Sequence, residues 1–312
     1  MRRNKKMMGT VLFLAVLLVG AMCGQCPARS ETDKKVDSLF IIASSGEIKY
    51  RDMVAPAIDS LVAMGKPAVP RLLELYDTQV ARERHALNTI LEKIGHDAVP
   101  YLIKALNTTD VEKLSRLCYT LGNIKDSAAV DALMKKASHD DWGVRSNAVT
   151  ALGQIGDKKG AENVIRALQD SVETVRKSAA VAAGRMILKE AIKPLVHMLG
   201  DKYYGPRMAA ADALLKMPDF AAHIISDSLH SSNELLGNLG ITLLGQIGGD
   251  AAAYRVGREL ESQSPIRRAL AAEAIYNSNS SLGCGFIEIL IGAETDSTVL
   301  FFMNRVLEKY AP

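Results

Sequence analysis

VRSNAVTALGQIGD (Val144 to Asp157) and ALQDSVETVRKSAAVAAG (Ala167 to Gly184) are two copies of one pattern, an apolar helical face followed by a turn. Working outward, the same ending recurs as LVAMG at Gly65, LEKIG at Gly95, LGNIK at Lys125, LGQIG at Gly156, AGRMI at Ile187, LLKMP at Pro218 and LGQIG again at Gly248. Successive spacings are 30, 30, 31, 31, 31 and 30 residues. AIYNSN carries the register to Asn279 and LEKYA to Ala311, with slightly longer steps.

Each period holds two helical patterns. Leu87, Ile90, Leu91 and Ile94 lie at i, i+3, i+4 and i+7, which is one face of a helix, and Val99, Leu102, Ile103 and Leu106 repeat that spacing. Between them Gly95 or Gly156 suits a helix-ending turn, and Asp97, Asp126, Asp157, Asp219 or Asp250 suits the cap of the next helix. Pro70, Pro100 and Pro194 fall in or near a first helical turn, where the missing N–H costs little. A hairpin of ~30 residues with one apolar seam per helix must stack on its neighbours to bury that surface. Aromatic residues make up only 5 % of the chain, and small residues such as Ala148, Ala151, Gly153 and Ala179 to Gly184 recur, so the helices should approach closely.

The quoted motifs resemble the short HEAT-like repeats first grouped with phycobilin lyases, over about eight units from Val36 to the C-terminus. The resemblance implies an all-α, right-handed α-solenoid of two-helix repeats with the armadillo-like habit of a curved helical surface. The period does not fit the 34 residues of tetratricopeptide repeats or the 33 of ankyrins. The turn glycine is absent at Lys125, Ile187 and Pro218, and the pattern weakens after Ser262, which predicts an irregular C-terminal cap from about residue 263.

Residues 1–23 read as a secretory signal: Arg2, Arg3, Lys5 and Lys6 precede an apolar run from Val11 to Met22, and cleavage is expected after Ala21 or Cys23. The run is shorter than the ~20 residues a bilayer-spanning helix needs. Met22, where a lipoprotein signal has a small residue, argues against a lipid anchor on Cys23. Residues 24–35 read as a polar linker and 36–312 as the solenoid. The whole chain has 38 basic and 35 acidic residues; without the four basic residues of the signal the balance is 34 to 35, or −1. A nucleic-acid partner is therefore not expected, since counterion release needs a basic excess. Cys26, Cys118 and Cys284 form an odd set, and the last two lie in distant repeats, so they read as buried apolar fillers.

Three sets of residues are candidates for a role. Arg84, Arg145, Arg176, Arg207 and Arg268 each stand eleven residues before a turn anchor, with Asp140, Asp170 and Asp201 a few residues ahead of three of them. By resemblance these form a structural ladder tying neighbouring turns. Glu74, Lys104, Lys135, Arg166, His197, Ser226 and Arg258 form a row on the second helices, which in HEAT-like proteins line the concave surface. Lys104, Lys135, Arg166, His197 and Arg258 would make a basic stripe for a partner with an acidic segment. Trp142 and Tyr204 hold the same place two repeats apart, and exposed aromatics are enriched among binding hot spots.

Catalysis finds no residues to name. HEAT-like metal enzymes bind an iron pair through His-Glu dyads, and none of the six histidines is followed by glutamate. Neither HExxH, GxSxG nor a phosphate-binding glycine loop occurs. An oxidoreductase or chromophore lyase is the enzymatic alternative, resting on fold resemblance alone. The expectation is an exported scaffold that binds a protein or peptide partner, without a cofactor or metal.

Overall fold

The computed structural model describes residues 29–310, and no strand occurs among them. The expected signal segment, its cleavage site, Cys23 and Cys26 lie outside the described residues. Helix α1 (Glu31–Ala43) opens the stack. First helices follow as α2 (Val54–Met64), α4 (Ala81–Ile94), α6 (Val111–Ile124), α8 (Trp142–Ile155), α10 (Glu173–Met186), α12 (Tyr204–Leu214), α14 (Glu234–Ile247) and α16 (Pro265–Asn277). Their partners are the shorter second helices α3 (Val69–Glu74), α5 (Val99–Ala105), α7 (Val130–Lys136), α9 (Ala161–Ala167), α11 (Ile192–Met198), α13 (Pro218–Ser228), α15 (Gly249–Gly257) and α17 (Leu282–Leu290), and α18 (Ser297–Tyr310) ends the array. Each hairpin packs on the next, making an all-α solenoid.

Two boundaries differ from expectation. Ser30 and Asp33 form a capping box that starts α1 at Glu31, so residues 31–35 are helix and not linker. Their charges cover the outer face of a helix whose inner face buries Val36 and Phe40. Beyond residue 263 the hairpin pattern continues regularly, with α16 stacked on α14 and α18 on α16.

The core is one continuous apolar seam, Leu87, Ile90 and Leu91 of α4 and Val99 and Leu102 of α5 all being buried. From α6 to α12, and again between α14 and α16, the first helices approach closely because glycine meets alanine across the interface. A Cβ at Gly153 would fall 2.5 Å from the Cβ of Ala182 and 2.6 Å from its Cα, and Gly122, Gly184 and Gly245 face Ala151, Ala213 and Ala274 in the same way. The pair is absent before α6, where Glu92 and Thr120 take its places and α4 packs more loosely on α6, and at one junction in mid-array. The register places Leu215 where the glycine should stand and Leu243 where the alanine should, and α12 and α14 do not pack closely.

The turns show how far local chemistry substitutes for glycine. Gly65, Gly95, Gly156 and Gly248 take positive φ, but so do Lys125 (φ 60°) and Ile187 (φ 53°). At Pro218 the turn is dropped: Pro218 occupies the first turn of α13 directly. Of the expected aspartate caps, Asp126 and Asp157 accept the N–H groups of Ala128 and Lys159. Asp97 instead pairs with Lys66, Asp250 accepts from Ser280, and Asp219 lies inside α13. Cys118 is buried, which pushes its thiol up to about 12. Cys284 is partly exposed with its thiol toward Glu288, so it is no core filler.

Candidate functional site

The last buried residue of each second-helix segment sets a frame: Tyr76, Leu106, Ala137, Leu168, Leu199, Leu229 and Leu260, spaced by 30 or 31. Two residues before each lie Glu74, Lys104, Lys135, Arg166, His197, Asp227 and Arg258, all exposed. The row therefore runs through Asp227 and not Ser226. Arg166 pairs with Glu162 at 2.7 Å and Asp227 with His223 at 3.0 Å, both on the surface. The basic stripe is continuous from Lys104 to His197 and interrupted before Arg258.

Two residues after each framing position, a side chain accepts the backbone N–H two residues on. Thr78, Thr108, His139, Asp170, Asp201, Ser231 and Ser262 do so in turn, and Glu294 repeats the bond at the last turn. Where this acceptor is a carboxylate, the arginine of the preceding repeat reaches it. Arg145 donates from Nε and Nη2 to Asp170 at 2.8 and 2.9 Å, and Nη1 donates to the carbonyls of His139 and Asp140. Arg176 holds Asp201 at 2.6 and 3.0 Å, and Arg268 holds Glu294 at 2.7 and 2.9 Å. One guanidinium thus grips its own turn by carbonyls and the next turn by a bidentate carboxylate.

These contacts hold the carboxyls ionised. Arg268 and two backbone N–H groups bring Glu294 down to about 2 despite burial. At Asp170 and Asp201 burial works to raise the pKa but is outweighed by the arginine and the turn N–H, so both lie below the usual carboxylate range.

Three ladder residues depart from expectation. Asp140 offers only its carbonyl, because the turn acceptor at that level is His139. At the acceptor position for Arg84 the register holds Thr108 instead of a carboxylate, and Arg84 meets Glu112 in a single contact at 3.4 Å. Arg207 donates to the carbonyl of Asp201 at 2.8 Å and stacks beside Tyr204, but among the described residues it has no carboxylate partner, since its acceptor position holds Ser231. The following repeat has Asn238 in place of the arginine, its Oδ1 buried and unpaired.

Trp142 and Tyr204 prove to be two members of a longer row. Val80, Val111, Trp142, Tyr204, Leu235 and Ile266 lie at or beside the start of successive first helices, each 41–69 % exposed. Their numbers fall on a 31-residue register from which only Glu173 is missing as an apolar member. Sequence inspection missed Val80, Val111, Leu235 and Ile266, although the period extended from Trp142 finds them.

Clefts lie along the second helices and the turns that follow them. One of about 510 Å³ is lined by Leu168, Asp170, Arg176, His197 and Lys202. The next, about 610 Å³, is lined by Lys193, His197, Ile224, His230 and Ser231, and a third of about 580 Å³ by His230, Tyr254, Arg255 and Arg258. Among the described residues no three His, Cys, Asp or Glu stand close enough to hold a metal ion.

The family model for HEAT repeats matches residues 99–183 and 130–215, the region where ladder, glycine seam and register are most regular. Residues 99–215 carry HEAT repeats. No curated protein matches it in sequence. Among solved structures, that of YibA from E. coli is 17 % identical over 90 % of this HEAT-repeat chain and 98 % of its own, with a TM-score of 0.50. The complex of CpcE and CpcF of phycocyanin lyase from Nostoc sp. PCC7120 is 20 % identical, covering 66 % of this chain and 92 % of that one, with a TM-score of 0.39. Human deoxyhypusine hydroxylase in complex with glycerol is 20 % identical, covering 78 % and 96 %, with a TM-score of 0.37. At these identities the likeness concerns the fold alone.

Proposed function

We propose that this protein is an exported, non-catalytic scaffold that holds a protein or peptide partner along the edge where second helices turn into first helices. What carries the reading is the apolar row at helix starts. A solvated turn has no need of a large apolar side chain, yet six of seven register positions from Val80 to Ile266 present one. Isolated exposed apolar residues need no explanation, but a periodic line of them beside a charged row describes an interface of apolar anchors and a polar rim. Helices packed ~8 to 10 Å apart spread those anchors along an extended line, which suits a long contact with one partner segment.

The charged row supplies orientation. Lys104, Lys135, Arg166 and His197 stand exposed on consecutive second helices, so an acidic segment on the partner would be held by charges that salt screens over ~8 Å at physiological ionic strength. Crosslinking in intact cells followed by mass spectrometry identifies the partner, and the binding of that partner to variants tests the surface. The pair Trp142→Ala and Tyr204→Ala, and the pair Lys135→Glu and Arg166→Glu, should each weaken the complex at least ~10-fold with folding intact. The second pair should also remove most of the salt dependence. Unchanged affinity in both would sink the reading. The mature N-terminus, read by mass spectrometry on the envelope fraction, tests export: a cytoplasmic chain beginning at Met1 counts against it.

A further inference from the structure

At Arg207 a break in the arginine ladder coincides with a break in helix stacking, the α12–α14 junction. Arg145, Arg176 and Arg268 each close their Nε–Nη2 edge on a carboxylate of the next turn. Arg207 occupies the same place and grips its own turn in the same way, Nη1 donating to Asp201. Its next turn offers Ser231, whose hydroxyl accepts the Asn233 N–H at 3.3 Å. Here too α12 and α14 stand apart, because Leu215 and Leu243 replace the small residues that interlock the first helices on either side.

An arginine edge shaped for a carboxylate, whose next turn offers only a hydroxyl, is a binding site lacking one component. The surroundings set the sign of that component. Ser231 also lines the cleft of about 610 Å³ that contains Lys193, His197 and His230. Of the carboxylates around it, Asp201 is engaged by Arg176 and Asp227 by His223, while Glu234 stands exposed at the start of α14. We propose that Arg207 and Ser231 form a docking point for the carboxylate of an aspartate or glutamate side chain on the bound partner, which completes the ladder from outside. This rests on the scaffold reading for its occupant, and it places one acidic residue of the partner between the anchors Tyr204 and Leu235.

The site can be read without the partner. In the full-length, ¹⁵N-labelled protein the arginine Nε–Hε resonances are followed while N-acetyl-aspartate amide, a single side-chain carboxylate with both ends blocked, is added. The Arg207 resonance should shift saturably while those of Arg145 and Arg176 stay in place. Ser231→Asp, which supplies the carboxylate from within, should move the Arg207 resonance toward those of Arg145 and Arg176 and weaken the probe at least ~10-fold. Arg207→Gln should abolish the response, so the test does not depend on one variant. No shift at Arg207, parallel shifts of every exposed arginine, undiminished probe binding in Ser231→Asp, or tighter binding of inorganic phosphate than of the probe would each overturn the proposal. Because the probe contains no partner, failure of the scaffold reading shows separately, as unchanged partner affinity in the Trp142, Tyr204, Lys135 and Arg166 variants.

Discussion

Ile187 ends α10 at φ 53°, a conformation that a β-branched side chain adopts at a cost of about 1–2 kcal/mol. It is about half exposed, so the side chain recovers little by burial. Ile187→Gly should therefore stabilise the protein by about 1 kcal/mol, after the extra entropy of the unfolded glycine is counted. A thermal melt should rise by roughly 1–3 °C, while Ile187→Ala should show no such gain. Glu294 offers a test of the opposite kind. Its folded pKa, about 2 against an ordinary 4.5, means that its pairing with Arg268 stabilises fully above 4.5 and is lost as pH falls toward 2. Melting temperatures of wild type and Glu294→Gln should differ at neutral pH and converge over that window. A constant difference down to pH 2 would remove Glu294 from the acid response. At this scale the sequence reads unevenly. Arg145 and Arg176 stand out with aspartates five and six residues ahead of them, but the true partner of each is 25 residues further along, across the turn. Arg207 looks identical in one repeat's sequence and differs only through Ser231, in the next repeat.

Small residues on the first helices were legible as a stripe, and their geometry gives the reason: glycine against alanine Cα leaves no space for a Cβ. Gly153→Val should destabilise by about 3 kcal/mol, because backbone on both sides prevents relaxation. Gly292→Ala, at a position where an added Cβ meets nothing within 4 Å, should be close to neutral. Denaturant midpoints compare the two, and equal midpoints would mean that α8 and α10 separate more easily than their packing implies. The second helices were harder to align from sequence. Periodicity placed Ser226 in the charged row, whereas the buried framing residues Leu199, Leu229 and Leu260 put Asp227 there. A shift of one residue rotates a helix by about 100°, so an error invisible in the period puts a neutral serine where the surface presents a carboxylate. The apolar row escaped for a different reason: Val111, Leu235 and Ile266 look like core residues in composition, and only their place at helix starts leaves them exposed.

Across the whole molecule the 30–31-residue period predicts an even array, and the packing divides it. From α6 to α12 the first helices interlock, and from α14 to α18 they do so again, with the α12–α14 junction held mainly through α11 and α13. In a one-dimensional array stability is a sum over units and their interfaces, so the weakest interface sets where unfolding separates. A chain ending after His230 keeps α1 to α13 and gives up that weak stacking interface together with the contacts that α11 and α13 make with the following repeat. A chain ending after Gly156 exposes the Gly153 surface of α8, where Ala182 had closed the seam, and leaves α8 without its second helix. The first fragment should retain nearly the helical circular dichroism per residue of the whole protein and unfold in one urea transition. The second should remain only partly helical and unfold over a broader range. Hydrogen exchange in the intact protein should likewise protect residues 111–214 as one block and 234–310 as another. A single exchange block spanning both, or equal helicity per residue in the two fragments, would show that α13 couples the halves as tightly as the glycine seam does.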